Sequence, residues 1–281
     1  MNTTPPARTP PRLLRVSRIQ QPTPNMKRIT LSGEALAGFP VNSDGAHIKL
    51  LLPLAGQTEP ILPKLGPNGP IWPPANIRPI SRTYTVGRYD PNTCELDVDF
   101  VLHGDNGPAS RWALHAHIGS AIGLAGPGGP ERFQAHADWF VLAGDPSSLA
   151  LIQAVLRQLP AQAKGMVCIE VPNAAEIQNL PLPPNMKAHW LVRTRGTAGQ
   201  STLLVDAVRN LPWLAGTPSI TLAGESAQLV AMRDFFLQEK HVPRNMIYAV
   251  PYWKDAHTEE AYHDERHRIM DELEHDQQVP A

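Results

Sequence analysis

The sequence has few cysteines, no long apolar run and no excess of charge of either sign. Cys94 and Cys168 are the only cysteines among 281 residues, which excludes a disulfide framework, and we expect both to be buried as small apolar residues. The net charge of −1 provides no basic field for a nucleic-acid backbone. No apolar run approaches the ~20 residues of a membrane span, and residues 1–15 lack the apolar segment of a signal peptide. We therefore expect a cytoplasmic protein that binds no nucleic acid.

Proline, in contrast, is abundant: 30 of the 281 residues are proline, whereas ~5% is usual. The 42% apolar and 18% charged content still predicts a chain that buries a core. Two groups of prolines stand out, at positions 5–11 and 53–79. We predict a mobile tail over residues 1–11 and a functional or covering loop at 53–79, because long structureless loops are unusual in compact domains. The chain length indicates two domains.

Residues 12–126 have the pattern of an antiparallel sheet. Short segments rich in β-branched and apolar residues are separated by turn-forming residues, which is typical of strands. An antiparallel β-barrel or sandwich fits this part of the chain best. The predicted strands span residues 13–19, 27–31, 47–52, 83–86, 96–102 and 121–124.

The pattern changes near residue 138. A continuous apolar run at 139–143 is followed by a turn and by apolar residues at helical spacing, which predicts a strand, a turn and a helix. Strands and helices then alternate as in a parallel sheet, and such sheets bind nucleotides at the carboxyl ends of their strands. We predict further strands at 166–171, 189–192, 219–223 and 246–250, helices at about 200–211 and 225–239, and a charged surface helix over 258–275.

Three short segments carry groups suited to a dinucleotide. In residues 82–86, Arg82 offers a planar set of donors to a phosphate, and Tyr84 shares its strand face and can stack on a flat ring. Residues 99–104 follow as a second strand end. Residues 107–110 begin with Gly-Pro, which suits the start of a helix whose free N–H groups can hold a pyrophosphate. Together they predict a dinucleotide site on two strands and a helix start.

This arrangement resembles the ferredoxin-NADP reductase superfamily, in which an R-x-Y-[ST] strand and a later phosphate-binding helix hold a flavin on a β-barrel. It is more closely similar to the siderophore-interacting protein family of flavin-dependent ferric-siderophore reductases. The similarity runs from about residue 12 to residue 255 in the same order. Its supporting segments are residues 47–50, 82–85, 99–100 with 103–104, 107–109 with 112–113, 126–129, 223–225 and 252–253.

The resemblance implies two domains, an antiparallel β-barrel flavin domain followed by an α/β parallel-sheet nicotinamide domain, with a C-terminal helix. On this interpretation residues 12–135 bind FAD, residues 136–256 bind NADPH or NADH, and residues 257–281 form a helical extension. The residues that it assigns to non-covalent FAD binding are Arg82, Thr83, Tyr84, Thr85, Val86, Asp99, Phe100, Val101, Leu102, His103, Gly107, Pro108, Ala109, Ser110 and Trp112, with Trp253 covering the flavin or the nicotinamide.

Lys49, Arg193 and Arg195 are the candidate substrate contacts. Strand alternation places Lys49 on the face opposite Ile48 and Leu50, where it is either solvated or, by its position in the resemblance, close to the ferric chelate. Arg193 and Arg195 follow a strand end, where a parallel sheet presents ligand contacts. They hold a 2′-phosphate, contact siderophore carboxylates or are merely exposed.

Some expected features are absent from the sequence. The turn at 144–147 is not a G-x-G-x-x-G, so no phosphate fingerprint supports the nicotinamide site. Residues 254–256 follow Tyr252 and Trp253 where relatives commonly have a glycine.

Other polar residues have simpler interpretations. Glu225 is predicted to cap a helix. His263 and His267 share a helix face, but no third ligand is evident, and we expect a solvated helix rather than a metal site. No serine or cysteine has a convincing base and orienting group, so a hydrolase has no support.

The resemblance implies an NAD(P)H-dependent, FAD-mediated reductase that releases iron(II) from ferric siderophores in the cytoplasm. No catalytic side chain is assigned, because the flavin carries the redox chemistry. Two alternatives remain: a flavin reductase that feeds a protein electron carrier, and a flavin-holding protein that binds ferric chelates without turnover. The sequence identifies neither the siderophore nor the preferred nicotinamide nucleotide. It leaves the oligomeric state open, with a monomer as the expectation.

Overall fold

The computed structural model describes residues 9–67, 69–105 and 107–275. These residues divide into two compact units between Gly129 and Pro130, and each unit has its own hydrophobic core. Residues 1–8 of the predicted mobile tail and residues 276–281 of the predicted C-terminal extension lie outside the described residues. No helix of the described residues is long and apolar enough to cross a membrane.

The first unit is built on a seven-stranded sheet in which every pairing is antiparallel. The strand order is β6-β3-β9-β1-β2-β8-β7, and a short hairpin of β4 and β5 is separate from it. Each of the predicted strands of this region is present, which confirms the antiparallel class. The elements are β1 (Arg12–Thr23), β2 (Met26–Ser32), β3 (His47–Leu52), β4 (Lys64–Gly66), β5 (Gly69–Ile71), β6 (Ile80–Thr85), β7 (Arg88–Asp90), β8 (Glu95–Val101), α1 (Pro108–His115) and β9 (Ala121–Gly128).

Alternation along the strands determines which side chains form the first core. In β8, Leu96, Val98 and Phe100 are buried, and the residues between them are half-buried. Ala109 and Ala113 of α1 are buried as well and pack with this cluster. Each large apolar side chain removed from water contributes roughly 1.5–3 kcal/mol to stability. The core thereby positions the strands and the helix that carry the candidate site.

The proline-rich connection at 53–79 has more structure than the sequence suggests. It contains the β4–β5 hairpin and a 3-10 turn at Ala75–Ile77. Strands of three residues are too short to show alternation, so a pattern reading misses them. Leu62 of this connection packs where a side chain at residue 123 would lie, beside Leu51. The connection therefore covers part of the outer face of β3 and β9.

The second unit is a five-stranded parallel sheet in the order β12-β11-β10-β13-β14. Its strands and helices alternate as predicted, and α4 continues into a π-helical turn at Phe235–Glu239. The elements are β10 (Trp139–Gly144), α2 (Leu149–Gln158), β11 (Lys164–Val171), β12 (Asn185–Val192), α3 (Leu203–Arg209), β13 (Pro218–Glu225), α4 (Ser226–Asp234), β14 (Ile247–Trp253) and α5 (Glu259–His275). The carboxyl ends of all five strands lie along one edge of the sheet, which we call the carboxyl edge.

The two cysteines differ in their surroundings. Cys168 is fully buried in β11, as predicted, and burial raises the pKa of its thiol to about 12. For Cys94 the prediction is wrong, because this residue is only half-buried. It lies in the turn before β8 with a φ of 50°, and it packs only partly against the first core.

Candidate functional site

Arg82 and Tyr84 lie on β6, at one edge of the sheet formed by the described residues. The antiparallel register places Leu50 opposite Arg82 and Ile48 opposite Tyr84. Arg82 and Tyr84 therefore share a strand face, as the sequence predicts.

A series of aromatic rings joins β6 to α1. The ring of Tyr84 lies 4.6 Å from that of Phe100, which in turn lies 5.6 Å from that of Trp112. Phe100 is completely buried, whereas Tyr84 and Trp112 are half-buried. The series brings together the three segments that the sequence singles out for a dinucleotide.

The start of α1 is suited to an anion. The helix begins at Pro108 with Gly107 as its N-cap, and within the described residues no side chain caps the first turn. A Cβ at Gly107 would lie 2.7 Å from Cε1 of His103, so a side chain at residue 107 would require the imidazole to move. The first-turn N–H groups and the positive end of the helix dipole can therefore face a phosphate.

Ser110 fastens the preceding loop to this helix. Its buried hydroxyl donates to Gly104 O at 2.7 Å and accepts from His103 N at 3.2 Å. This hydroxyl thus positions the loop, and its predicted contact with FAD stays a prediction. Val101 and Leu102, which come just before the loop, are half-buried, and Leu102 N donates to Asn25 O at 2.8 Å.

Asp99 has a partner that sequence reasoning missed. Its two carboxylate oxygens accept from Nε and Nη2 of Arg28 on β2, each at 2.7 Å, and this bonding raises the pKa of Arg28. The opposite charges on neighbouring strands were the available signal, but only the register pairs Arg28 with Asp99. The side chains that support the site from within the sheet or the core, rather than from its open surface, are Val86, Asp99, Phe100 and Ala109.

Lys49 lies on the outer face of β3, opposite the buried Ile48 and Leu50, which confirms the predicted alternation. Its Nζ donates to Thr83 Oγ1 on β6 at 2.6 Å. The hydrogen bond holds the ammonium group on the Thr83 face of β6, opposite the face of Arg82 and Tyr84. Thr85, two residues after Thr83 on β6, is buried.

In the second unit, the buried Asp145 ties together three strand ends at the carboxyl edge. Its Oδ1 accepts from the N–H and hydroxyl of Ser147 at 2.8 and 2.6 Å, and its Oδ2 accepts from Glu225 N and Trp253 Nε1, both at 2.8 Å. Burial raises the pKa of Asp145, and the four hydrogen bonds oppose that shift. The indole of Trp253, expected to cover the flavin or the nicotinamide, is therefore fastened at this edge.

Glu225 and Asp255 extend the same cluster. Glu225 Oε2 accepts from Ala227 N at 2.7 Å and Gln228 N at 3.1 Å, which confirms the predicted helix cap of α4. Glu225 Oε1 accepts from Asp255 N at 3.2 Å, and Asp255 Oδ2 accepts from Gly199 N at 3.1 Å. Hydrogen bonds, chiefly from the Thr197 side chain, lower the pKa of Asp255.

The two arginines after β12 are placed differently. Arg193 Nη1 bonds to Glu170 Oε1 at 2.7 Å, and the Glu170 side chain is only 1% exposed. Ser201 Oγ donates to Glu170 Oε2 at 2.8 Å, so this acid holds both ends of the loop that follows β12. Arg195 lies between those ends and is exposed. Glu170 within an apolar strand was a sequence signal for a buried partner.

The C-terminal helix α5 packs beside the same edge. The Tyr262 hydroxyl donates to Ser226 Oγ at 2.8 Å, and Lys254 Nζ bonds to Glu265 at 2.6 Å. The rings of His263 and His267 lie 4.5 Å apart. Across the described parts of the chain, no three His, Cys, Asp or Glu side chains group as metal ligands.

Comparison with known proteins decides the family. Residues 15–131 match the model of the siderophore-interacting FAD-binding domain, and residues 137–256 match that of the siderophore-interacting protein. The chain is also 41% identical over 264 residues to the ferric vibriobactin reductase ViuB of Vibrio cholerae, an alignment that covers 93% of this chain and 96% of that protein. The chain belongs to the siderophore-interacting protein family. FAD is accordingly the cofactor of its first domain.

Further relatives and solved structures agree with this assignment. The NADPH-dependent ferric-chelate reductase of Escherichia coli is 30% identical over 226 residues, with 80% of each chain covered. The crystal structure of the siderophore-interacting protein SipS from Aeromonas hydrophila superposes with a TM-score of 0.82 at 36% identity, covering 93% of this chain and 98% of that one. Phthalate dioxygenase reductase shares the fold, with a TM-score of 0.58 at 13% identity and coverage of 89% and 70%.

Proposed function

We propose that this protein transfers electrons from NADPH or NADH, through FAD, to the iron(III) of ferric siderophores. The observation that carries the proposal is the 41% identity to ferric vibriobactin reductase over nearly the whole of both chains. The first unit supplies a strand and a helix start suited to a dinucleotide, and the second supplies a parallel sheet with an organised carboxyl edge. We assign residues 12–135 to the flavin domain and residues 136–256 to the nicotinamide domain.

The residues of the first unit fit FAD. The guanidinium of Arg82 and the first-turn N–H groups of α1 would hold its two phosphates, and the ring of Tyr84 would lie against the flavin. Gly107 keeps the helix start open, and Ser110 keeps residues 103–104 in place beside it. When bound, FAD accepts a hydride and releases electrons singly, which suits one-electron reduction of iron.

The carboxyl edge of the second unit would hold the nicotinamide nucleotide. Asp145 fixes Trp253, while Glu170 and Asp255 fix the loop that carries Arg195. Because the Arg193 guanidinium bonds to Glu170, Arg195 is the better candidate to contact a 2′-phosphate. The pre-formed loop lowers the entropy lost on binding and compensates for the missing glycine-rich fingerprint.

The iron is a substrate rather than a resident metal. One NADPH and two ferric siderophores would give NADP⁺, a proton, two iron(II) ions and the two iron-free siderophores. Oxygen-donor siderophores hold iron(II) far more weakly than iron(III), so reduction releases the metal. Lys49, exposed on β3 and bonded to Thr83, would contact the anionic oxygens of the chelate. We place the reaction in the cytoplasm, where nicotinamide nucleotides are available, with the monomer as the working unit.

An anaerobic titration of the FAD-loaded protein tests this function. We expect NADPH or NADH to bleach the flavin absorbance, and a ferric siderophore to restore it while a colorimetric chelator reports iron(II). If neither nucleotide bleaches the flavin absorbance, the protein is not a nicotinamide-dependent reductase and only a binding role is left for it. If bleaching occurs but a ferric siderophore does not restore the absorbance, whereas an oxidised flavodoxin or ferredoxin does, the carrier-reductase alternative is correct.

A further inference from the structure

We propose that His47 is a second contact for the ferric chelate, acting beside Lys49. The His47 imidazole lies against residue 128, and it can do so because that residue is a glycine without a side chain. The inference rests on the proposed function and deepens it by naming the chemistry of the substrate. That substrate is a chelate whose iron-binding oxygens carry negative charge.

His47 and Lys49 lie on the same face of β3. Both are exposed, whereas Ile48 between them is buried, and residues two apart along a strand are separated by about 7 Å. The register places His47 opposite Thr85, and Lys49 opposite Thr83. The two side chains therefore stand in one row on the face that Thr83 and Thr85 share, which is the face opposite Arg82 and Tyr84. The same face is covered farther along, at Leu51, by Leu62.

The His47 ring lies against the end of β9. A Cβ on Gly128 would lie 2.9 Å from His47 Nε2, and a Cβ on Gly129 would lie 2.7 Å from Nδ1. Real Cβ atoms do not approach so closely, so either the ring or the new side chain would have to move. Register pairing of His47 with Gly128 explains the approach, because the two residues face each other across the strands.

The chemistry of this row suits an anionic oxygen chelate. An imidazole carries at least one N–H in each of its protonation states, and an ammonium group carries three. Hydrogen bonds from such donors to anionic oxygens are charge-assisted and are roughly twice as strong as neutral ones. A neutral chelate would gain less from the same two donors. The row therefore favours catecholate or carboxylate chelates over neutral hydroxamate chelates.

Three variants test the role of the ring. His47→Ala removes the imidazole, and Gly128→Ala displaces it while leaving it in the protein. The double variant asks whether the two changes act through the same group. His117→Ala is the matched control, because His117 is an exposed histidine of the same unit whose Nδ1 lies 3.1 Å from Ser120 Oγ in the turn before β9.

Binding is measured on oxidised, FAD-loaded protein without nicotinamide nucleotide, by quenching of tryptophan fluorescence. One probe is the ferric complex of a hexadentate tricatecholate, which is trianionic, and the other is that of a hexadentate trihydroxamate, which is neutral. We expect His47→Ala and Gly128→Ala each to weaken binding of the trianionic probe roughly tenfold. The neutral probe should change less than twofold, and the His117→Ala control should bind both as the unsubstituted protein does.

The double variant should bind no more weakly than His47→Ala alone, because Gly128→Ala acts through the missing ring. Unchanged binding of the trianionic probe by His47→Ala would overturn the inference, as would equal weakening for both probes. Loss of FAD from His47→Ala would also overturn it, because the ring would then serve the cofactor. If the unsubstituted protein binds the trianionic probe but neither NADPH nor NADH reduces the iron of that probe, the proposed function fails while the His47 contact stands.

Discussion

At the scale of single residues, long-range hydrogen bonds decide which charged side chains are available to ligands. Asp99 and Arg193 are both predicted ligand contacts, and each also bonds to a charged residue far away in sequence. Sequence patterns show which face a side chain takes but not which partner the register brings to it. Glu170 in an apolar strand indicated a buried partner, yet nothing in the sequence identified that partner as Arg193.

Arg82 is the residue whose loss should be most visible in cofactor content. We expect Arg82→Ala to lose FAD during gel filtration, because a charge-assisted phosphate contact contributes roughly 1.5–3 kcal/mol. The measurement is the ratio of flavin to protein absorbance before and after filtration. Arg88→Ala, at an exposed arginine of β7, is the matched control and should keep its FAD. Equal flavin retention in both variants would remove Arg82 from the site.

Asp255 should make stability depend on acid pH. Its pKa is lowered in the folded protein, so its stabilising effect is complete above the ordinary value of 3.8 and is lost as the pH falls through the lowered pKa. Asp255→Asn should therefore be less stable than the unsubstituted protein at pH 7, and the difference should shrink below about pH 4. Urea unfolding across this range checks the prediction, with the exposed Asp206→Asn as control. A difference independent of pH would contradict it.

At the scale of elements, the sequence predicts regular pieces well and irregular ones poorly. Strand β10 is a nearly continuous apolar run, and β13 is a short segment whose residues are all buried, so pattern and structure agree closely. The β4–β5 hairpin escaped prediction because its strands have three residues each and include proline and glycine. Ala256, which stands near where relatives commonly have a glycine, adopts a φ of 59°. This is a conformation that glycine adopts more easily, and this chain forms the turn with alanine.

The loop after β12 carries Arg193, which bonds to a buried acid, and the exposed Arg195, which we propose as the contact for the nicotinamide nucleotide. Arg193→Ala should lower the free energy of unfolding by roughly 3 kcal/mol, because it leaves the buried Glu170 carboxylate without its guanidinium. Arg195→Ala should change stability by less than about 0.5 kcal/mol and raise the KM for NADPH roughly tenfold. Chemical denaturation and steady-state kinetics measure the two effects.

NADH is the internal control for this loop, since it lacks the 2′-phosphate. Its KM should not respond to Arg195→Ala. A raised KM for the ferric siderophore, with that for NADPH unchanged, would assign Arg195 to the chelate instead.

At the scale of the whole molecule, the chain consists of two units that match two different family models. Each core is closed within its own unit, one around Leu50 and Phe100 and the other around Trp139 and Leu222. The resemblance to relatives runs through both units, which explains why order along the chain was a better guide to function than any single motif. The RxYT segment is short, but seven segments in the same order are specific to one family.

Separate cores predict separate responses to ligands in calorimetry. A ligand that binds only the native state stabilises it by RT ln(1 + [L]/Kd), which is about 2.7 kcal/mol at a hundredfold excess over Kd. We expect two thermal transitions, of which excess FAD raises the one that belongs to the flavin unit and NADP⁺ raises the other. Trp139 is buried in the second unit, so its fluorescence changes when that unit unfolds. The difference between the thermal fluorescence curves of the unsubstituted protein and of Trp139→Phe therefore shows which transition belongs to the second unit. A single transition that both ligands raise equally would show that the units unfold together.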